Sequence, residues 1–471
     1  MGIGALDYKK GGESLEINGI IQDYYVYAGE NVNAGDFVEF VQGVASKKTE
    51  TSKVSVVDKT NIYAYACKVD EKRVFLAELY NYSPKIIGKI LTFDGTKISI
   101  GNTYTILSNI TSDSDAFVNM KLLDKNKIII AYSGYKTTTV VCTISGSEIT
   151  VGTHVELGSG SSSYPDIGNQ IGIIDNSTVF LCWCRKRNST SSTYGIKAVI
   201  LNISGTTITS NTITNISTPN GGSIEYLSLS MMSKTKAMLF YRDVYDDSQG
   251  QSLVFTISGT TVTASSTKYT FYAGDLSNSG NLNSLPINST QAILVYPASG
   301  GWAAIATLSG DTISFGSPVN FRTSQCTNIC MSYVSENDLS RVMVAYCYGG
   351  AGGHYTQILS VSGTSVSYGV AYTLPKSSSS ASSLRNLSLA SLDENVVINI
   401  SAYKDSAGNV VDAQLLGVDG LNISNNITTS TYETQVKRVT TLPCNGVAET
   451  SGTGGTSAGH NQQVSVYVPN I

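Results

Sequence analysis

Charge is scarce in this sequence. Only 14% of the 471 residues are Asp, Glu, Lys or Arg, and the formal net charge is −4. A chain that binds nucleic acid or an anionic membrane by electrostatics carries an excess of basic residues, and this one does not. Few Glu and Lys, together with many β-branched residues and 28 Tyr, favour an all-β fold over long helices.

Long apolar runs are also lacking. No uninterrupted apolar stretch approaches the roughly 18 residues that a membrane-spanning helix requires. Residues 1–7 have neither the basic nor the apolar region of a signal peptide, and Leu6 stands where a myristoylation motif needs Ser or Thr. We therefore expect synthesis in a cytoplasm and no membrane insertion.

The eight cysteines and three histidines do not follow the spacing of a metal site. Cys182 and Cys184 flank a tryptophan, Cys326 and Cys330 are four positions apart, and neither pair is a Cys-x-x-Cys motif. The glycine-rich run at 452–459 is not followed by the Gly-Lys-Ser/Thr of a phosphate-binding loop. The sequence thus predicts no metal and no cofactor, and it predicts small buried thiols in a reducing compartment.

What the chain does contain is a repeat. Its clearest copy runs from Leu253 to Thr263, where alternating apolar residues on both sides of Ser-Gly-Thr predict two antiparallel strands joined by a tight turn. The turn glycine recurs at intervals of 51, 59, 54, 51, 53 and 57 residues, at Gly95, Gly146, Gly205, Gly259, Gly310, Gly363 and Gly420. Such a period with short strands is typical of propellers and solenoids.

Each repeat has the same order of parts. A strand, an Asp, Asn or Ser turn, a buried strand, a variable loop, a strand, the glycine hairpin and a last strand follow one another. We predict a seven-bladed β-propeller with four strands per blade, because the end units resemble the middle ones and lack polar caps; an open solenoid is the alternative. The predicted blades lie near residues 60–110, 115–160, 164–218, 224–273, 281–322, 328–376 and 384–434.

Aromatic residues mark one position of the repeat. Five of the buried strands end on an aromatic in the same register, at Tyr132, Trp183, Tyr241, Tyr296 and Tyr346. The first and last units have Glu78 and Ile400 there instead. Two interpretations are open. The aromatic side chains pack between neighbouring blades, or together they form a circle that faces a ligand.

The loops after these strands differ in length and chemistry. Equivalent but variable loops on one rim are where a repeat fold carries recognition, and Tyr, Trp, Asn and Asp suit sugars. Solvated loops that bind nothing are the alternative. The candidate ligand-binding residues are Trp183, Arg185, Tyr245, Asp246, Trp302, Tyr348, His354 and Tyr403.

The two chain ends carry a family resemblance. Residues 28–38 read Ala-Gly-Glu-Asn-Val-Asn-Ala-Gly-Asp-Phe-Val, which resembles a turn pattern near the N-terminus of small tailed-phage decoration and virion proteins. The partner pattern of that group is Gly-Val-Ala, a glycine-rich turn and Val-x-Val, and it is similar to 446–448 and 464–466 here. The resemblance implies one small β-barrel built from both ends, with the propeller inserted between them. It divides the chain into 1–58 and 435–471, the halves of an attachment domain, and 59–434, the propeller.

Three functions follow from this organisation. The first is a phage virion protein of tail fibre or baseplate, assembled in the host cytoplasm, whose terminal barrel binds other virion proteins and whose propeller contacts bacterial surface polysaccharide. The second is a capsid decoration or head-fibre protein. The third is a glycan-degrading enzyme using carboxylates such as Glu225, Asp243, Asp246 and Asp247, since glycosidases need two of them about 5–10 Å apart. We expect no enzyme and no catalytic residue; a homo-oligomer is left open.

Overall fold

A computed structural model describes the chain over most of its strands and connections. The described residues are 3–10, 13–26, 31–32, 37–42, 49–51, 53–57, 62–80, 85–94, 98–108, 117–158, 166–185, 195–217, 224–244, 247–276, 281–348, 353–374, 383–405, 408–424, 426–428, 434–438, 446–448, 452–453 and 463–469. At both chain ends only the strands and their pairing are described. The described residues contain no helix that is long and apolar enough to span a membrane.

The chain divides into two compact units. One combines Met1–Thr49 with Thr428–Ile471, and the other is Glu50–Ile427. The strands that precede the repeat are β1 (Ile3–Lys10), β2 (Glu13–Val26), β3 (Asn31–Val32), β4 (Phe37–Gln42), β5 (Thr49–Thr51) and β6 (Lys53–Val57).

The larger unit is a seven-bladed β-propeller, as the repeat predicts. The first blade contains β7 (Ile62–Lys68), β8 (Arg73–Tyr80), β9 (Lys85–Phe93), β10 (Ile98–Ile100) and β11 (Tyr104–Ser108). The second contains β12 (Phe117–Asp124), β13 (Lys127–Ser133), β14 (Thr137–Ser145), β15 (Glu148–Val151) and β16 (Val155–Leu157). The third contains β17 (Asp166–Asp175), β18 (Thr178–Arg185), β19 (Gly195–Ser204), β20 (Thr207–Ser210) and β21 (Thr214–Ser217).

The remaining four blades repeat this arrangement. They contain β22 (Ile224–Met231), β23 (Lys236–Asp243), β24 (Gln249–Ser258), β25 (Thr261–Ala264) and β26 (Tyr269–Tyr272); β27 (Asn283–Pro286), β28 (Gln291–Pro297), β29 (Gly301–Ser309), β30 (Thr312–Phe315) and β31 (Val319–Arg322); β32 (Cys326–Ser335), β33 (Asp338–Tyr348), β34 (Gly353–Ser362), β35 (Ser365–Tyr368) and β36 (Tyr372–Thr373); and β37 (Ser383–Ser391), β38 (Val396–Asp405), β39 (Gly408–Asp419) and β40 (Asn422–Ser424).

Every blade is an antiparallel sheet with one strand more than the four that the repeat predicts. In the first blade the order is β10-β9-β8-β7, and β11 pairs with β9 beside β10. The outer edge of the blade is thus one strand broken into two short ones by residues 101–103. Periodicity alone does not reveal this break, because both halves alternate in the same way.

The turns follow the chemistry that their residues predict. The hairpin glycines have positive φ, as in Gly259 at 57°, except that Gly95 lies outside the described residues. In six of the seven blades the polar residue at the inner turn caps it by accepting a hydrogen bond from a backbone N–H two positions on, over 2.9 to 3.1 Å. These residues are Asp70, Asp124, Asp175, Ser233, Asn288 and Asp338.

The ring is closed by a strand from before the first blade. β6 pairs antiparallel with β39, from Val410 opposite Val57 to Gln414 opposite Lys53, and fills the edge position that β11 fills in the first blade. Residues 53–57 were predicted to belong to the attachment segment 1–58, and their pairing with β39 places them in the propeller instead. This pairing joins the two ends of the propeller by the backbone hydrogen bonds of one sheet. The chain entropy lost in bringing those ends together is lost once for the whole propeller.

Side chains of the seventh blade also hold the first blade. The backbone N–H of Ala64 donates to Asn386 Oδ1 over 2.9 Å, and Asn386 Nδ2 donates to the Ala64 carbonyl over 2.6 Å. The N–H of Ala66 donates to Ser388 Oγ over 2.9 Å. One amide side chain therefore satisfies both backbone groups of a residue 322 positions away.

Replacing Asn386 with Ala is expected to lower the free energy of unfolding by about 2 kcal/mol or more. The change leaves a buried backbone donor and a buried acceptor of Ala64 unpaired, and each costs about 1–3 kcal/mol. Urea unfolding measures the loss. The control is Asn422→Ala, on the exposed outer strand, which should stay within about 0.5 kcal/mol of the parent protein. Equal effects of the two variants would contradict the assigned role.

The hydrophobic core lies between blades. Seven clusters of buried side chains each combine two neighbouring blades, and one of them joins the seventh blade to the first. The aromatic register belongs to these clusters: Trp183 packs with the second blade, Tyr241 with the third and Tyr346 with the fifth. The interpretation that these rings pack between blades is confirmed.

The smaller unit draws its strands from both chain ends. Its later strands are β42 (Thr434–Arg438), β43 (Gly446–Ala448), β44 (Gly452–Thr453) and β45 (Gln463–Pro469). The division between the two units falls within β41 (Asn426–Thr428), as it does within β5. Six strands form one sheet in the order β1-β2-β42-β4-β43-β45, and β2 also pairs with β45. Two further pairs are β3 with β44 and β5 with β41.

Candidate functional site

Half of the predicted rim residues have no described side chain. Tyr245 and Asp246 lie outside the described residues, and Arg185 and Tyr348 are strand ends of which only the backbone is described. Most of the variable loops, such as 186–194 and 349–352, are likewise outside. The prediction that these loops bind a ligand stays a prediction.

Three other rim candidates are buried. Trp183, Tyr403 and His354 are 0%, 1% and 2% exposed. The His354 and Tyr403 rings meet edge to face with centroids 5.8 Å apart, and the Tyr403 hydroxyl donates to Asp412 Oδ2 over 2.5 Å. These side chains fill seams between blades, so they do not present a surface to a ligand from solvent.

Trp302 is the one rim candidate with a described and partly exposed ring. It lies on β29 directly opposite Tyr296 and packs against the cluster between the fourth and fifth blades. Its indole N–H is buried and has no hydrogen-bond partner among the described residues. Among the predicted site residues whose side chains are described, His354 and Tyr403 contact each other in one seam, and Trp183 and Trp302 lie in two other seams.

The sequence analysis missed the central channel. The first strands of consecutive blades contact one another around the ring, from β7 through β37 and back to β7. They enclose a cavity of about 540 Å³ lined by residues of all seven blades. This volume lies within the roughly 300–1,000 Å³ range of small-molecule sites. A single first strand carries no signal for such a cavity, because it arises only when seven of them meet.

Four of the seven first strands are irregular at the same height. In these blades the pairing between the first and second strands shifts register. The shifts occur near the end of the second strand, at residues 168–169, 226–227, 328–329 and 385 of the first. In three of these bulges the first residue has left-handed φ: Gly168 at 63°, Tyr226 at 54° and Asn328 at 51°. Glycine and asparagine tolerate this conformation, but a tyrosine held there costs about 1–3 kcal/mol.

The bulges have a packing consequence. The second residue of each turns into the seam between blades, and Asn169, Leu227 and Ile329 are 0%, 4% and 2% exposed. Asn169 Nδ2 donates to Ser133 Oγ over 2.8 Å and to the Phe117 carbonyl over 3.1 Å in the preceding blade. The first residue of each of these three bulges lines the channel, as do Leu227 and Ile329, and Tyr226 also packs against the cluster between the fourth and fifth blades. A bulge is the usual device by which a strand redirects a side chain.

A partly buried ion pair stands beside Tyr226. Glu225 Oε2 accepts from Arg242 Nη1 over 2.7 Å, and Arg242 Nη2 donates to Ser248 Oγ over 2.9 Å. The guanidinium is 5.8 Å from the centroid of the Tyr226 ring, and its Nε–H is buried without a partner among the described residues. The next residue along β23, Asp243, pairs with Lys268 over 2.6 Å.

Further along the channel, Lys121 projects from the second blade into the same cavity. Loss of hydration inside the channel lowers the pKa of its ammonium, and the neighbouring Cys67 thiol opposes this shift. Glu225 and Lys121 are the charged side chains of the described lining. The described lining therefore carries one charge of each sign.

The prediction of buried thiols is confirmed for the described cysteines. Six of them are buried and Cys330 is partly so, while Cys444 lies outside the described residues. Burial raises the pKa of Cys67 to about 11, which nearby Lys121 partly offsets, and burial raises that of Cys142 to about 12. Among the described residues, no three His, Cys, Asp or Glu side chains are grouped so as to hold a metal ion.

Stability is expected to fall as the pH rises above 9. A thiol has an ordinary pKa of 9.0, so between pH 9 and about 11 the unfolded chain loses protons that folded Cys67 and Cys142 keep. The folded state is thus favoured below pH 9 and progressively less above it. Urea midpoints at pH 8 and 10.5 test this. With Cys67→Ala and Cys142→Ala together, the difference between the two midpoints should shrink; an unchanged difference would contradict the assignment.

Comparison with known proteins adds little. No protein-family model matches the sequence, and no curated protein is similar to it. Among solved structures, the chain is similar to a Penicillium chrysogenum alpha-L-arabinanase complexed with arabinobiose, at 9% identity over 69% of this chain and 99% of that one, with a TM-score of 0.42.

Two other structures show the same level of likeness. The six-bladed Aleuria aurantia lectin is 14% identical over 68% of this chain and 98% of its own, with a TM-score of 0.39. The WD40 domain of SCAP from fission yeast is 9% identical over 77% and 97%, with a TM-score of 0.38. Values this low carry no argument about function, and the strand pairing of the chain itself establishes the propeller.

Proposed function

We propose that this chain is a virion protein of a tailed phage or phage-like particle, attached by its terminal unit and contacting host-surface polysaccharide with its propeller. One observation carries the proposal: the two sequence patterns behind the resemblance are neighbours in one sheet. Phe37 and Val38 of the first pattern pair with Val447 and Gly446 of the second. Within the second, Ala448 pairs with Val466.

The pairing also supports a small barrel at the chain ends. Starting from β2, the ladder runs through β42, β4, β43 and β45 and returns to β2. A sheet whose last strand pairs with its first has no open edge, and this is the condition for a barrel. In the proposed arrangement the barrel binds other virion proteins and the propeller is the displayed module.

We propose binding without catalysis. Of the carboxylates that could serve a glycosidase, Glu225 is held by Arg242 and Asp243 by Lys268 in ion pairs of 2.7 and 2.6 Å. Both carboxylates are thus occupied by partners within the propeller. A capsid decoration or head-fibre protein is the second candidate, and the terminal pattern itself favours it, since decoration proteins are among those it resembles.

Immunogold electron microscopy of particles from the source culture tests the proposal, with an antibody raised against the propeller, residues 53–427. Label at the tail tip or baseplate is the expected result. Label spread over the head would favour the decoration alternative. No label on any particle would overturn the virion proposal.

A further inference from the structure

The strained tyrosine of the fourth blade marks the mouth of the channel. At the equivalent positions of the third and sixth blades stand Gly168 and Asn328, residue types that suit a left-handed backbone. A tyrosine at φ 54° is therefore not explained by the bulge, which glycine or asparagine would form with less strain. Strain of this kind clusters at functional sites, so the ring of Tyr226 is the first candidate for a role.

The groups around Tyr226 define what it could bind. Glu225 keeps 29% of its side chain exposed although it is paired with Arg242. Asn281 and Asn283 from the fifth blade and Asn328 from the sixth line the same cavity. Carboxylate and amide groups can each hold two adjacent hydroxyls, and an aromatic face packs against C–H groups. The arrangement matches the chemistry of a sugar ring.

Charge narrows the class of ligand. The described lining contains one carboxylate, which is already paired with a guanidinium, and one lysine. Such a site offers no excess cation to attract an acidic sugar and no excess anion to attract a cation.

We propose that the channel mouth at the fourth to sixth blades binds the end of a neutral saccharide, with the Tyr226 ring against the sugar face and Glu225, Asn283 and Asn328 on its hydroxyls. This deepens the polysaccharide contact proposed above and rests on it. It also moves the contact from the variable loops to the first strands.

The experiment uses the full chain and ligand-observed saturation-transfer NMR. The probes are neutral hexoses, 6-deoxyhexoses and N-acetylhexosamines as mono- to tetrasaccharides, with hexuronic acids beside them. We expect binding of at least one neutral probe. Tyr226→Gly should weaken it at least ten-fold. Relief of the left-handed strain offsets part of the packing that is lost with the ring, so the variant should still fold. Glu225→Gln should also weaken it at least ten-fold.

The control is Tyr368→Ala, which removes a 46% exposed ring from outer strand β35 and should leave binding unchanged. A purely structural role for Tyr226 would lower the unfolding midpoint of Tyr226→Gly and spare binding by the folded protein, which would overturn the place of its ring in the site. No binding of any probe, stronger binding of the acidic probes, or binding that survives both channel variants would each overturn the site. The particle labelling is unaffected by these outcomes, so the two proposals can fail separately.

Discussion

Trp183→Ala is expected to destabilise the propeller by about 3–5 kcal/mol, the range for truncating a large buried aromatic. The ring is 0% exposed and packs among Leu157, Ile171 and Val199 between the second and third blades. Protein interiors relax only partly around such a cavity, so most of the lost contact is not recovered. Urea unfolding measures the change, and Tyr368→Ala, which removes an exposed ring, should stay within about 0.5 kcal/mol.

The same variant separates the two interpretations of the aromatic register. If Trp183 served a ligand, Trp183→Ala would lower saccharide binding and leave the free energy of unfolding nearly unchanged. Trp183→Phe gives a second check, since it keeps a ring in the seam and should cost less than the alanine variant. A stability loss of less than about 1 kcal/mol for Trp183→Ala would contradict the buried position.

Lys89→Met is expected to lower the free energy of unfolding by about 3–5 kcal/mol, because it strands a buried carboxylate. Lys89 Nζ lies 2.8 Å from Glu78 Oε1, and the two side chains are 11% and 0% exposed. The Tyr80 hydroxyl also donates to Glu78, over 3.2 Å. Glu78 stands where five other blades carry an aromatic residue, and its partner Lys89 lies on the next strand of the same blade.

The double variant Glu78→Leu with Lys89→Met is the matched control. Replacing a buried ion pair by apolar residues of similar volume is often neutral or stabilising, so the double variant should recover most of the stability that Lys89→Met loses. The two changes are then strongly non-additive in urea unfolding. Additive losses would show that the pair acts through packing alone.

The fold follows from local rules that are written in each repeat. Turn formers such as Asp175 and hairpin glycines such as Gly259 act within a few residues, and both behave as their chemistry predicts. The period then sets the number of blades. The closing strand β6 was missed because its partner, β39, is more than 350 residues away and no local pattern refers to it.

The candidate site was predicted less well than the fold. Aromatic residues at strand ends were correctly identified as a register, yet Trp183 and Tyr403 pack inside seams and do not face solvent. The residues that meet in the channel, Glu225, Tyr226 and Asn328, come from two blades about a hundred positions apart. Closure of the propeller places these residues around one cavity. The bulges direct Tyr226 and Asn328 towards that cavity.

The sequence by itself determined an all-β chain, seven repeats, the turns within them and the shared register of the aromatic residues, because each depends on short-range alternation and turn chemistry. The tertiary structure alone decided which strand closes the propeller, which aromatic side chains are buried and which side chains share the channel. Those outcomes depend on which surfaces meet when distant segments pack, and the linear order of residues does not record that.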